Sequence, residues 1–158
     1  MHETNVSALM EREHHEIDQA IEHFVAGLSE GKLRHKDLAR AGDLLKRHIY
    51  VEEELIFPTL RAKGMLAPVL VMLREHGEIW RTLDALDLEV GPGTAAEWVP
   101  DRCHQLLRQL ETHNGKEEPI IYPQADALLT DEQTATVREF LHSGTMPLDW
   151  VCAQAPNG

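Results

Sequence analysis

The sequence predicts an all-α protein, an up-down-up-down four-helix bundle followed by a short fifth helix. Three observations lead to this prediction. Apolar residues recur every three to four positions over long stretches, which is the spacing of one helix face. The alternation of apolar and polar residues that marks strands does not extend far. The strings SEGK and GPGT interrupt the periodic segments, and short connections of this kind join antiparallel helices.

The first two helices are predicted at about residues 6–28 and 36–58. SEGK ends the first helix. Pro58 removes an amide donor, so the second helix ends or kinks there. The face that we expect the second helix to bury carries Leu38, Ala41, Leu45 and Leu55.

The third helix is predicted to begin at Pro68, a good first-turn residue, and to end before GPGT. The fourth is predicted over about 95–118, with Pro119 near its end. Thr130 can cap a short fifth helix through its hydroxyl. The face that we expect the fourth helix to bury carries Val99, Cys103, Leu106, Leu110 and Ile120.

Length and composition predict one globular domain. The chain has 158 residues, of which 42% are hydrophobic and 27% charged, which is enough apolar material for one core. We expect a single domain over 1–158, with the bundle at about 6–125 and the short helix and tail at about 130–158.

Charge and cysteine content limit the partners and the location that we expect for this protein. The formal net charge is −12, and an acidic surface repels nucleic acid and anionic lipid, so neither is expected as a partner. No apolar run reaches the length of a membrane span, and the N-terminus shows no secretory signal pattern. The two cysteines have no CxxC or framework spacing. We therefore expect a cytoplasmic protein with two reduced thiols.

Two short patterns occur twice, in the same order. REHHEI contains His14 and REHGEI contains His76, while HIYVEEELIFP begins at His48 and HNGKEEPIIYP begins at His113. The last two strings place Glu52 and Glu117, respectively, four residues after their histidine. The two histidines of each half are 34 and 37 residues apart. This repetition indicates a duplicated helical hairpin.

The repeated residues share the buried faces of their helices, because residues three and four apart lie together on a helix. They also lie at similar distances from the connecting loops, and in antiparallel hairpins equal distance means equal depth. One level of the core should therefore hold a His/Glu cluster of six residues: His14, His48, Glu52, His76, His113 and Glu117.

A buried cluster of this composition predicts a metal site. Two carboxylates and four imidazoles buried without partners are very unfavourable. Direct pairing of glutamate with histidine could satisfy some of them, but a metal accepts all six. Nitrogen-rich ligation suits iron, zinc, copper or nickel. Two glutamates that can bridge favour a dinuclear centre over a single ion with spare ligands. The ferritin-like pattern needs two Glu-x-x-His strings, and only EREH fits.

The neighbours of the cluster are interpreted differently. His15 shares a face with acidic residues, so it is expected in solvent, and the same argument applies to Glu53, Glu54 and Glu118. A one-residue error near the proline-distorted turns leaves open that Glu53 or Glu118 replaces its neighbour. Four further residues are candidates for a supporting role beside the ligands, with simple packing as the alternative: Tyr50, Tyr122, Met10 and Met72.

The order of these motifs resembles the hemerythrin family, specifically its hemerythrin-like HHE cation-binding domains. HIYVEEELIFP is similar to the second-helix motif of that family, and the resemblance covers about residues 6–125. It implies two non-haem iron ions with an oxo or hydroxo bridge, zinc or another divalent metal being a possible substitute. By resemblance, one iron is held by His14 and His48, the other by His76 and His113. The bridging glutamates are Glu52 and Glu117.

The chain departs from oxygen-carrying hemerythrins at Met72, where those proteins have a further histidine, and a thioether is a poor ligand for ferric iron. The set is similar to the domain of di-iron proteins that repair iron–sulfur clusters, although their N-terminal cysteine-bearing domain is not expected here. The resemblance implies a centre that binds or reacts with O₂, NO or H₂O₂, in sensing, detoxification or repair. Whether it turns over peroxide or NO is left open. The alternatives are an iron-responsive module without catalysis and a metal-free helical interaction domain.

Overall fold

The structure is a computed structural model that describes residues 4–91, 94–95 and 97–156. Most of these residues are helical, as predicted. Between α4 and α5, β1 (Val90–Gly91) pairs antiparallel with β2 (Thr94–Ala95). The helical segments are α1 (Val6–Ser29), α2 (His35–Val51), a first π segment (Glu52–Ile56), α3 (Phe57–Ala62), α4 (Leu66–Glu89), α5 (Val99–Lys116), a second π segment (Glu117–Ile121), α6 (Tyr122–Leu128) and α7 (Asp131–Ser143).

The ends of the helices follow from local capping. Asn5 precedes α1 and accepts a hydrogen bond from the Ala8 amide at 2.9 Å. After α1 the chain turns at Gly31, whose φ of 72° suits a residue without a β-carbon. Thr130 caps α7 as predicted, in a reciprocal capping box with Gln133.

The second and fourth predicted helices do not end at their prolines. Each passes through a π segment and continues, to Ala62 in the first half and Leu128 in the second. The amides of the residues before Pro58 and Pro123 each donate to a carbonyl five residues back, from Phe57 to Glu52 and from Tyr122 to Glu117. The wider turn lets the chain accommodate the missing proline amide and remain helical.

The extra residue in each π turn shifts which side chains face the core. Leu55 and Ile120 were predicted on the buried faces, and the Ile120 prediction is wrong, because that residue is 52% exposed. Leu55 is only partly buried. The buried positions belong to the next residues, Ile56 and Ile121, each no more than 1% exposed.

The second hairpin differs from its prediction mainly at the loop. The third helix begins at Leu66, two residues before the predicted Pro68, while the fourth begins at Val99 and not near 95. Residues 94–95 instead form β2. Pro92 and Gly93 of the GPGT string lie outside the described residues.

The apolar core consists of two clusters that leave a polar layer between them. On α1, Met10 belongs to one cluster and Ile17 to the other, with His14 between them. On α4, Met72 and Ile79 flank His76 in the same way. The two clusters therefore enclose a layer of histidines. Among the described residues, no helix combines the length and apolar character needed to cross a membrane.

Candidate metal centre

The structure brings all six members of the His/Glu cluster together in the interior. The exposed fraction is 0% for Glu52, His76 and Glu117, and no more than 5% for the other three. Their ligand atoms form two sets of four, and within each set all atoms lie within 4.8 Å of one another. Group 1 contains His14, His48, Glu52 and Glu117, and group 2 contains Glu52, His76, His113 and Glu117.

Both glutamates reach histidines of both groups. Oε1 of Glu117 lies 3.3 Å from Nε2 of His14, and its Oε2 lies 3.0 Å from Nε2 of His113. Oε1 of Glu52 lies 2.9 Å from Nε2 of His76 and 3.6 Å from Nε2 of His48. The Nε2 atoms of all four histidines thus converge on the two shared carboxylates.

The Nδ1 atoms face a second layer of carboxylates. Nδ1 of His14 lies 2.7 Å from Oε2 of Glu118, and Nδ1 of His76 lies 2.7 Å from Oε2 of Glu53. The prediction that Glu53 and Glu118 are merely solvated is therefore wrong. They orient the rings from behind, an arrangement typical of metal-binding histidines. Glu54 is exposed, as predicted.

Two further glutamates of this layer were missed by the sequence reasoning. Oε1 of Glu13 lies 3.5 Å from Nδ1 of His48, and Oε1 of Glu75 accepts from Nδ1 of His113 at 2.8 Å. The sequence contained a signal for them, because Glu13 stands immediately before His14 in the first half of the repeat and Glu75 immediately before His76 in the second. We name this layer the outer carboxylates: Glu13, Glu53, Glu75 and Glu118.

Cationic side chains balance two of the outer carboxylates. Nη2 of Arg47 lies 3.6 Å from Glu13, and the ammonium of Lys116 donates to Glu75. Hydrogen bonds from His113 and Lys116 lower the pKa of Glu75 to about 2, against the opposing effect of burial. Glu75 is therefore an ionised acceptor that favours a proton on Nδ1 of His113 and leaves Nε2 free to bind a cation.

Without a cation, the bridging-position and outer carboxylates around the four histidines set the protonation of the cluster. Burial alone would lower the pKa of His113, but the charge of Glu117 and the hydrogen bond to Glu75 raise the pKa to about 10. The pKa of His14 is raised to about 9, again against burial, by Glu117 and Glu118. Burial and the neighbouring Glu117 raise the pKa of Glu52. Without a cation, the site therefore takes up protons.

Unpartnered atoms show that the donor set fits a metal. Nε2 of His113 and Oε2 of Glu117 are buried and make no hydrogen bond, although they lie only 3.0 Å apart. Buried polar atoms normally have a partner. A cation that binds both atoms satisfies them together, and imidazole with carboxylate is a donor set that suits iron or zinc.

Of the four predicted supporting residues, only Tyr122 reaches the ligand atoms. Its Oη lies 2.7 Å from Oε2 of Glu52 and 2.9 Å from Oε1 of Glu117. Tyr50 packs instead against Phe140 and Trp150, with ring centroids 5.2 and 5.1 Å away. Met10 and Met72 are buried in the apolar cluster next to the site.

The remaining described histidines lie outside the cluster. Each has an exposed side chain, and His2 lies outside the described residues. His23 pairs with Asp37 at 3.2 Å. The exposed histidines are His15, His23, His35, His104 and His142.

A small cavity adjoins the cluster. Its volume is about 10 Å³, room for about one water-sized molecule. The four histidines of the cluster line it, together with the apolar side chains of Ile17, Leu45, Ile79 and Leu110. A ligand in this space would meet imidazole edges on one side and hydrocarbon on the other.

In this largely helical chain, the buried histidine and glutamate side chains form two overlapping groups that fit a metal-binding site. Residues 5–125 match the family described as the hemerythrin HHE cation binding domain. The chain therefore belongs to the hemerythrin HHE family, which confirms the resemblance found in its motifs. Searches among curated proteins and among solved structures found no match.

Proposed function

We propose that this chain is a non-haem di-iron protein that binds or reacts with a small molecule such as O₂, NO or peroxide. The observation that carries the proposal is the sharing of Glu52 and Glu117 between the two groups. Two neighbouring cations require carboxylates that reach both histidine pairs, so that each carboxylate can bind both cations. A single ion would leave part of the donor set unused.

Each residue of the cluster has a definite role in this proposal. His14 and His48 hold the first cation, His76 and His113 hold the second, and Glu52 and Glu117 bridge them. Two iron ions supply a pair of electrons and an exchangeable coordination position. Glu53, Glu75 and Glu118 keep a proton on Nδ1 of the histidines that they contact, so Nε2 of those histidines offers its lone pair to the metal.

The cavity beside the cluster supports the proposal that the ligand is small. Its volume of about 10 Å³ suits a diatomic or peroxide-sized molecule better than an organic substrate. Its apolar wall limits access by bulk water, which favours an uncharged ligand such as O₂ or NO. A cytoplasmic location and the absence of nucleic-acid or membrane partners remain predictions from composition.

The packing of the long helices supports the predicted up-down-up-down four-helix bundle. α1 contacts α2 and α5, while α4 contacts α5 and α2. This closed sequence of neighbours is the one expected when four antiparallel helices surround a common core.

Metal loading with a matched pair of variants tests the proposal. We expect two irons per chain after anaerobic reconstitution, with NO adducts of the ferrous form visible in the optical spectrum. Glu52→Ala combined with Glu117→Ala should lose dinuclear binding, whereas His15→Ala, next to a cluster histidine but exposed, should retain it. Unchanged iron content in the double variant would rule out the bridging roles. A fully loaded protein inert to NO and peroxide would remove the proposed reactivity.

One contact favours the alternative, an iron-responsive module without turnover. The Ala153 amide in the C-terminal tail donates to Oε1 of Glu53 at 3.0 Å, while Oε2 of Glu53 lies 2.7 Å from His76. Iron loading can thereby change how firmly the tail is held. Faster hydrogen exchange of the tail in the metal-free protein, together with no peroxide or NO turnover, would support this module.

A further inference from the structure

The two halves of the site differ at one pair of equivalent positions. The residue nine positions after His48 is Phe57, and the residue nine positions after His113 is Tyr122. The Phe57 ring stacks on His76, with centroids 5.5 Å apart and planes 16° apart. The Tyr122 ring lies 5.5 Å from that of His14. Each aromatic ring thus accompanies one histidine pair, but only Tyr122 carries a hydroxyl.

The phenol oxygen of Tyr122 lies among the ligand atoms of group 1. Its distances are 2.7 Å to Glu52 Oε2, 2.9 Å to Glu117 Oε1, 2.9 Å to His14 Nε2 and 3.4 Å to His48 Nε2. A single hydrogen bond from the hydroxyl to one carboxylate would not require this surrounding by all four members of the group.

These distances resemble the edges of a coordination polyhedron. With metal–nitrogen and metal–oxygen bonds of about 2.1 Å, neighbouring donors of an octahedron lie about 3.0 Å apart. Each octahedral vertex has four neighbours, and the oxygen of Tyr122 has four donors at about this distance. The phenol is wholly buried, so its approach to the group is set by the fold. Tyrosine oxygen is also an established ligand type for iron.

We propose that the oxygen of Tyr122 is an additional ligand for the cation of group 1, which makes the two cation positions inequivalent. This inference rests on the proposed function. Phe57 offers no donor to the cation of group 2, so that cation keeps the position at which an exchangeable small molecule binds. When the oxygen binds ferric iron, the oxygen–hydrogen bond breaks, the proton leaves to solvent and the electron pair stays on oxygen. No oxidant is needed.

The chain contains two tyrosines, so the signal of the ligand can be assigned. Resonance Raman spectra of the ferric protein should show ring vibrations of an iron-bound phenolate. We expect Tyr122→Phe to abolish these bands, and Tyr50→Phe, the matched control packed against Phe140, to retain them. Tyr122→Phe should also weaken the binding of one of the two ions by about 10-fold.

A reciprocal exchange keeps the inference testable if Tyr122→Phe also disturbs other parts of the structure. The double variant Tyr122→Phe with Phe57→Tyr carries one phenol, placed in the other half. We expect the phenolate bands to return, because group 2 then has the additional donor.

The outcomes separate the two proposals. Two irons per chain without phenolate bands in the natural sequence would overturn the role of Tyr122 and leave the di-iron function standing. Bands that persist in Tyr122→Phe would also overturn it. A chain that binds no metal would overturn both proposals, since Tyr122 then has no cation to bind.

Discussion

Oε2 of Glu53 lies 2.7 Å from Nδ1 of His76, and the same carboxylate accepts the amide of Ala153 at 3.0 Å. Glu53 therefore joins the C-terminal tail to a histidine of the candidate centre. The contact connects the tail to the metal site without any tail residue being a ligand.

This contact predicts that Glu53→Gln weakens metal binding. An amide lacks the charge that favours a proton on Nδ1 of His76, and loss of such a partner lowers metal affinity by about 10- to 100-fold. Titration of the metal-free protein with ferrous ion under argon measures the effect. Glu54→Gln is the matched control, because Glu54 is exposed and contacts Trp150 at 3.0 Å. Equal affinities in the two variants would refute the positioning role.

The packing of the C-terminal tail against Gly77 is tested by the variant Gly77→Ala. A β-carbon at Gly77 would lie 2.6 Å from the backbone oxygen of Gln154, so the tail has to move. We expect a loss of about 1–3 kcal/mol in the free energy of unfolding, measured with urea. At Gly115 the added carbon meets nothing within 4 Å, so Gly115→Ala should gain up to about 1 kcal/mol. Similar stabilities of the two variants would mean that the tail does not pack there.

The register of the second π segment is tested at adjacent isoleucines. Ile121 is 1% exposed and Ile120 is 52% exposed. Ile121→Ala should cost about 2–5 kcal/mol through the cavity it leaves, while Ile120→Ala should cost much less. Denaturant unfolding of both variants distinguishes them. A larger loss for Ile120→Ala would restore the simple α-helical register.

The metal-free protein should lose stability as pH rises. Its histidines have pKa values raised from 6.5 to about 9 at His14 and about 10 at His113. Protonation therefore contributes stability that is fully present below pH 6.5 and disappears as pH rises through 9 and 10. Thermal midpoints measured from pH 6 to 10 in the presence of a chelator should fall. The cation-loaded protein should lack this decline, because coordination already removes those protons. A flat profile without metal would contradict the ion pairing in the cluster.

The sequence was sufficient for the helical fold and for the grouping of the six cluster residues. Both follow from local helical periodicity, since the four-residue spacing of His48 and Glu52 fixes their common face whatever lies around them. The repeat added the prediction that the cluster residues of the two hairpins lie at the same depth in the core. The π segments were not predicted, because one inserted residue beside Pro58 leaves the preceding periodicity unchanged.

The outer carboxylates could not be assigned by the same reasoning. Glu13 and Glu118 act on histidines of other helices, and such contacts depend on how helices rotate against each other. A helical wheel places Glu118 toward solvent, and the contact with His14 forms only once α1 packs beside the second π segment. The tail carries no periodic signal, so its attachment at Glu53 also had to come from the structure.

X-ray absorption at the iron edge tests the central claim most directly, with protein loaded with ferrous salt and then exposed to air. The account predicts two irons per chain, nitrogen and oxygen neighbours, and a scattering contribution from a second iron that disappears in the Glu52→Ala, Glu117→Ala double variant. One iron per chain, or two irons without mutual scattering, would contradict a centre built on two shared carboxylates.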